Sequence, residues 1–310
     1  MSDLMKLSEL KNIPSFKIFL AFAALYIVWG STYFAIAISV QEIPPLLLAG
    51  VRFFTAGILL LAFCLFKKQR LPGIMELPKI IVPGIFILFF GTGSVMWVEQ
   101  YLESSVTAII WAFIPMWFIV LDYRRWRVNF RNRFLIMGLL MGIVGVLVLF
   151  FDDAKFNFND GNIVTNIVIA IGGTMFFVTG SLMTKYTVQG TITAPMKAAV
   201  QMMAVGVLSF GLALVLDERQ HMEAASISLD AILSLLYLIV FGSVLTYLAY
   251  LWLLDKVSSA IVGTYTYVNP LVALILGWLF LDETVTIRQM LALAVIIGSI
   301  VLINVFKPKK

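Results

Sequence analysis

"SSVTAIIWAFIP" (Ser104–Pro115) and "SAIVGTYTYVNP" (Ser259–Pro270) are two copies of one pattern: a serine, an apolar and aromatic run, and a proline. They stand 155 residues apart, half of a 310-residue chain. At the same shift Trp97 matches Trp252. At a shift of 150, Gly30 matches Gly180, Ser31 matches Ser181, Pro45 matches Pro195 and Ala49 matches Ala199. Membrane helices draw on a small alphabet, so each match alone carries little weight. Their common order and nearly constant shift point to an internal duplication.

Composition sets the class. The chain is 61% hydrophobic and 13% charged with a mean hydropathy of +1.00, too apolar for a soluble surface of this size. Ten apolar spans are each near the roughly 20 helical residues that a bilayer core requires. They cover 18–40, 46–66, 79–98, 104–121, 133–151, 162–184, 194–216, 229–254, 258–281 and 287–306. The first span follows a polar start and lacks a small-residue cleavage site, so it reads as retained. One cysteine (Cys64) and one histidine (His221) make a zinc site impossible and argue against Cys-His or Ser-His catalysis.

Basic residues orient these spans. Of the 22 lysines and arginines, Arg52 lies inside the second span, and Lys155, Arg219 and Arg288 fall on one side. All the others fall on the opposite side, among them Lys6, Lys67, Arg124, Arg127, Lys185 and Lys309. This asymmetry predicts a multi-pass protein of a bacterial-type inner (plasma) membrane with both termini cytoplasmic. The net charge of +5 thereby reports topology and calls for no nucleic acid. The acidic residues Asp152, Asp153, Asp160, Asp217, Glu218, Asp282 and Glu283 gather on the other face.

The polar loop "DDAKFNFNDGN" (Asp152–Asn162) divides the spans five and five. An odd number per half reverses the direction in which the second half enters the bilayer. The expected fold is an all-α membrane protein of ten transmembrane helices, built as two inverted five-helix repeats. Residues 1–155 form the first repeat and 156–310 the second, together one transport domain.

Four stretches carry a family resemblance: "WGSTYFAI" (Trp29–Ile36), "IPPLLLAGVRF" (Ile43–Phe53), "WVEQYLESSVTAIIWAFIPMW" (Trp97–Trp117) and "YTYVNPLVALILGWLFLDETVTIRQ" (Tyr265–Gln289). In these the chain resembles the drug/metabolite transporter superfamily, in its ten-helix EamA-type exporter branch. The resemblance implies a pore built from spans one, three, four, six, eight and nine, with five and ten at the periphery. Span six departs from the pattern: "GGTMFFVTGSLMTK" (Gly172–Lys185) puts Thr179–Gly180 where a tryptophan-glycine pair is expected. Gly138 with Gly142, and Ala294 with Gly298, have the small-residue spacing of close helix packing in spans five and ten.

Candidate solute-binding residues are Trp29, Tyr33, Thr92, Trp97, Trp111, Thr246, Tyr250, Tyr265 and Asn269. Aromatic faces suit an amphipathic solute, and hydroxyls and an amide within a span would be penalised by lipid. The competing reading is core packing or an interfacial belt, where tryptophan and tyrosine also gather. Gating candidates are Arg52, Glu99, Pro115 and Pro270. Arg52 lies seven residues beyond Pro45, about 10 Å along a helix, so it and Glu99 approach the same half of the membrane. The alternative for that pair is a static ion pair. Each proline frees the carbonyl four residues earlier, at Trp111 and Thr266, either as a plain kink or beside a wet cavity.

No G-x-x-x-x-G-K-[ST] loop is present, which argues against ATP-driven pumping, and no nucleophile-base or metal constellation supports an enzyme. The expectation is a secondary transporter that exports small metabolites, amino acids or related amphipathic compounds among them, by alternating access. It needs no cofactor, its partners are the solute and the bilayer, and a monomer suffices. A channel-like facilitator and a lipid-handling protein are the alternatives.

Overall fold

A computed structural model describes residues 15–102, 104–150, 161–187, 192–218, 227–280 and 287–305, and these contain helices and no strand. Residues 151–160, the polar loop around His221, Asp282, Glu283, and the terminal lysines Lys6, Lys11, Lys307, Lys309 and Lys310 lie outside the described residues. The helices are α1 Phe16–Ser39, α2 Pro45–Phe66, α3 Leu77–Val98, α4 Ser104–Trp111, α5 Ile114–Leu121 and α6 Arg133–Phe150. They continue as α7 Gly161–Thr187, α8 Ala194–Val215, α9 Leu229–Lys256, α10 Ser259–Gly263, α11 Tyr265–Phe280 and α12 Ile287–Val305. Six of them (α1, α2, α3, α7, α8 and α9) are long and apolar enough to cross a membrane.

Helix starts follow the local sequence. Pro45 opens α2, where its missing N–H is no loss, and the Glu218 carboxylate accepts from the next two amides, Leu46 at 3.1 Å and Leu47 at 3.0 Å. Thr193 and Ser228 are the N-caps of α8 and α9, each accepting a backbone N–H in the first turn.

The fourth and ninth spans are each broken in two, at different places. The first break is a turn at residues 112–113, and Pro115 occupies the first turn of α5. The second falls at Thr264, whose hydroxyl donates to Ile261 O at 2.7 Å, while Pro270 sits inside α11. The two prolines therefore occupy unlike positions: one starts a helix, where proline is tolerated, and one interrupts a helix interior.

Glycines let first-half helices approach second-half helices. A Cβ on Gly57 of α2 would lie 2.7 Å from the Met203 amide nitrogen of α8, and one on Gly206 would lie 2.6 Å from that of Phe54. Only a missing side chain permits backbones this close. With Gly50 against Phe210, these contacts run α2 antiparallel to α8. Gly91 meets Phe177 and Gly180 meets Phe86, so α3 runs antiparallel to α7. On α6, Gly138 meets Ile303 and Gly145 meets Ile296 of α12 in the same sense. In α1 and α9, Trp29 bonds to Gly242, while Ser31, two residues later, bonds to Tyr237, five residues earlier, so these helices also run antiparallel. Cys64 is buried among Ile80, Ile192 and Met196, as a small core residue.

Among the described residues three helices carry π-helical turns: Leu25–Trp29 in α1, Ile85–Thr92 in α3 and Leu238–Leu245 in α9. Wider turns of this kind leave backbone carbonyls poorly paired and mark functional sites often. Hydroxyls compensate here, since Thr92 donates to Ile87 O at 3.3 Å and Thr246 to Phe241 O at 2.7 Å.

Candidate solute site

The three π-helical turns meet at one cavity of about 510 Å³, its open mouth included. That is within the range of small-molecule sites, about 300–1,000 Å³. α1 supplies Trp29, Thr32, Tyr33 and Ile36, the i, i+3, i+4, i+7 face of a helix. α3 repeats that logic with Leu88, Thr92 and Val95, and α11 adds Tyr265 and Asn269 one turn apart. α2 contributes Arg52 and Phe53, while α9 contributes Gly242, Ser243 and Tyr247. Trp111 of α4, Phe177 of α7 and Met202 of α8 complete the wall.

Aromatic rings make most of one side. The Trp29 ring lies 4.8 Å from Tyr265 and 5.1 Å from Tyr250, and its indole N–H donates to Gly242 O at 3.0 Å. Phe177 sits 5.3 Å from Trp111 and 5.4 Å from Tyr250. Ring pairs in such geometry add about 0.5–1.5 kcal/mol each beyond their buried area. Hydroxyls anchor the rings from behind: Tyr247 donates to Gln201 Oε1 at 2.7 Å and Tyr250 to Ser181 Oγ at 2.6 Å. Gln201 in turn donates to Ile80 O at 3.2 Å. These bonds fix the wall in place.

The polar groups are incompletely paired. Arg52 is 3% exposed, and its Nε donates to Ser243 Oγ at 2.9 Å while Nη1 has no partner. Glu99 is 8% exposed with neither carboxylate oxygen hydrogen-bonded. These charges are electrostatic neighbours, with Tyr33 a third member, yet Glu99 makes no hydrogen bond to Arg52. Trp111 Nε1 and Asn269 Oδ1 are likewise buried and unpartnered. Most buried polar atoms in proteins have a partner, so three such residues in the cavity wall, Arg52, Trp111 and Asn269, with Glu99 beside them, make this cavity the candidate solute site.

Residues 15–151 and 164–305 match the EamA-like transporter family. The chain belongs to this family. It is 36% identical to an uncharacterized inner membrane transporter, YedA of Escherichia coli strain K12, over 94% of this chain and 91% of that one. It is 23% identical to the uncharacterized transporter YoaV of Bacillus subtilis strain 168, over 94% and 97% of the two chains. A crystal structure of 17% sequence identity shares its fold with a TM-score of 0.73, over 92% of this chain and 96% of the other. An EamA-like chain with multiple apolar helices is a membrane transporter and no enzyme.

In this EamA-like transporter six of the nine expected solute-site residues line the cavity: Trp29, Tyr33, Thr92, Trp111, Tyr265 and Asn269. Tyr250 stands behind Trp29, and Thr246 is turned to its own backbone. Trp97 is 39% exposed and rests against Tyr101, away from the cavity. Among the gating candidates, Arg52 is in the cavity wall and Glu99 is its electrostatic neighbour. Pro115 and Pro270 are buried outside the wall, with Pro115 beside Gly263. Sequence reading missed Thr32, Phe177, Met202 and Ser243. Helical spacing from Tyr247 would have pointed to Ser243 one turn earlier.

At another point α5, α7 and α9 are tied by polar contacts. The Tyr186 hydroxyl lies 2.9 Å from both oxygens of buried Asp122, and the Arg124 guanidinium lies 4.6 Å from the Tyr186 ring centre. Lys185 Nζ donates to Val257 O at 2.7 Å. This bond ties the end of α7 to the segment after α9.

Proposed function

We propose that this chain is a secondary transporter that exports small metabolites, including amino acids or related amphipathic compounds, by alternating access at the described cavity. The observation that carries the proposal is the cavity itself. Aromatic walls suit an apolar body, and unpartnered buried donors and acceptors suit a polar head. Its walls come from helices of both halves, α1 to α4 on one side and α7, α8, α9 and α11 on the other.

The helix pairings support an inverted repeat of 1–155 and 156–310. Exchanging the halves turns the α1–α9 contact into the α7–α3 contact, and returns α2–α8 and α6–α12 to themselves. Such a pseudo-twofold arrangement lets one bundle rock against the other around a fixed site. The asymmetry of the basic residues supports an inner-membrane orientation with both termini cytoplasmic, and one chain lines the whole described cavity, which supports a monomer.

Reconstitution into liposomes tests this reading. Counterflow of a labelled solute, found by competition with a broad metabolite panel with and without a pH gradient, should saturate. Tyr265→Ala should reduce it. Steady ionic conductance would replace the carrier by a channel-like facilitator, and movement of labelled lipid would replace it by a lipid-handling protein.

A further inference from the structure

The charge inventory of the cavity goes beyond a general metabolite site. Among the described residues Arg52 is the one cation in the wall, fixed at Nε by Ser243 and offering Nη1 unpartnered. A guanidinium held this way presents its remaining donors to a planar anion, and a carboxylate matches that fork. The indole N–H of Trp111 is a second unpaired donor in the same wall. Glu99 does not line the cavity but lies electrostatically next to Arg52, with both oxygens unpaired.

We propose that Arg52 receives the carboxylate of the transported solute and that Glu99 takes up one proton as this carboxylate binds. This rests on the cavity being the solute site. When Glu99 is ionised and the cavity is empty, its charge offsets that of Arg52. A bound carboxylate adds a second negative charge in a desolvated region, where an uncompensated charge is strongly unfavourable. A proton drawn from solution onto a Glu99 oxygen restores neutrality, and it leaves when the solute leaves. One anion and one proton then bind together, and no redox step or bond to the solute is involved.

The surroundings of Glu99 offer no rival proton acceptor among the described residues. Arg52 faces it from α2 and Tyr33 from α1. The half of α7 from Gly161 to Thr174, packed on the end of α3, carries no ionisable side chain. Glu103, next along the chain, lies outside the described residues.

Binding of benzoate and phenylacetate to the purified full chain in lipid nanodiscs tests the proposal, read by tryptophan fluorescence, with benzamide as uncharged control. Between roughly pH 6 and 8.5 both acids stay ionised, carboxylic pKa values being near 4. Over that range affinity should strengthen by up to about tenfold per pH unit of acidification, the slope of one linked proton. Glu99→Gln mimics the protonated acid, so it should bind benzoate with no pH dependence and at least as tightly as wild type at low pH. Arg52→Lys keeps the charge but loses the fork, and should weaken binding tenfold or more while retaining the slope. In weak buffer a pH dye should report about one proton taken up per benzoate bound by wild type and none by Glu99→Gln. Benzamide binding as well as benzoate, absence of carboxylate binding at every pH, or an unchanged slope in Glu99→Gln would each overturn the assignment. If liposome counterflow of an uncharged or cationic solute persists and Tyr265→Ala still slows it, the transport reading stands while the carboxylate site falls.

Discussion

Thr92 and Thr246 do the same work in opposite halves of the chain: each hydroxyl donates to the carbonyl five residues earlier, Ile87 O and Phe241 O. Both sit at the end of a π-helical turn that borders the cavity. Thr246→Val preserves shape and removes the 2.7 Å bond from a fully buried group. It should destabilise the protein by about 1–2 kcal/mol, read as a lower unfolding temperature in detergent. Thr92→Val, which loses a 3.3 Å bond at a partly exposed site, should cost less.

Membrane orientation has its own test. Gln41, between α1 and α2, and Arg127, beyond α5, are both exposed. Gln41→Cys should react with an impermeant thiol reagent added outside intact cells, and Arg127→Cys only after the cells are opened. The reverse pattern would turn the whole charge argument upside down.

The two prolines should behave differently, because only Pro270 lies in a helix interior. Pro270→Ala supplies an N–H within reach of the Thr266 carbonyl, which should stiffen α11 by about 1 kcal/mol and slow transport. Pro115→Ala, in a first turn, should change stability by less than about 0.5 kcal/mol. Equal effects on transport rate from both would show that neither acts through the helix bond it removes.

Side chains in the cavity should matter more than those beside it. Asn269→Ala removes an unpartnered buried acceptor, and with Tyr265→Ala should weaken solute affinity by about 1–3 kcal/mol in folded protein. Trp97→Ala, at an exposed ring, should leave affinity unchanged. Wild-type affinity in both cavity variants would make those groups packing partners only.

Much of this was legible in the sequence because lipid makes the rules severe. Runs of apolar residues located the six long helices to within a few positions: 79–98 against Leu77–Val98, and 194–216 against Ala194–Val215. Polar side chains inside such runs exposed most of the site, as with Tyr33 and Asn269. Three features stayed hidden. The π-helical turns keep the ordinary alphabet of a membrane helix, so "IFILFFGT" (Ile85–Thr92) gives no sign of its wider turn. Phe177 and Met202 reach the cavity as apolar residues indistinguishable from lipid-facing neighbours. The break at residues 112–113 lies just before Pro115, whereas the break at Thr264 lies six residues before Pro270, so the second proline misleads about where the ninth span bends.

Alternating access at this cavity is most directly tested by one cysteine. In a Cys64→Ala background, Val95→Cys places a thiol of nearly the same size in the cavity wall. Reaction with a small impermeant reagent is followed in sealed vesicles of both orientations, with and without the transported solute. The account predicts labelling from either side of the membrane and protection by solute on both. Labelling from one side alone under every condition would contradict it.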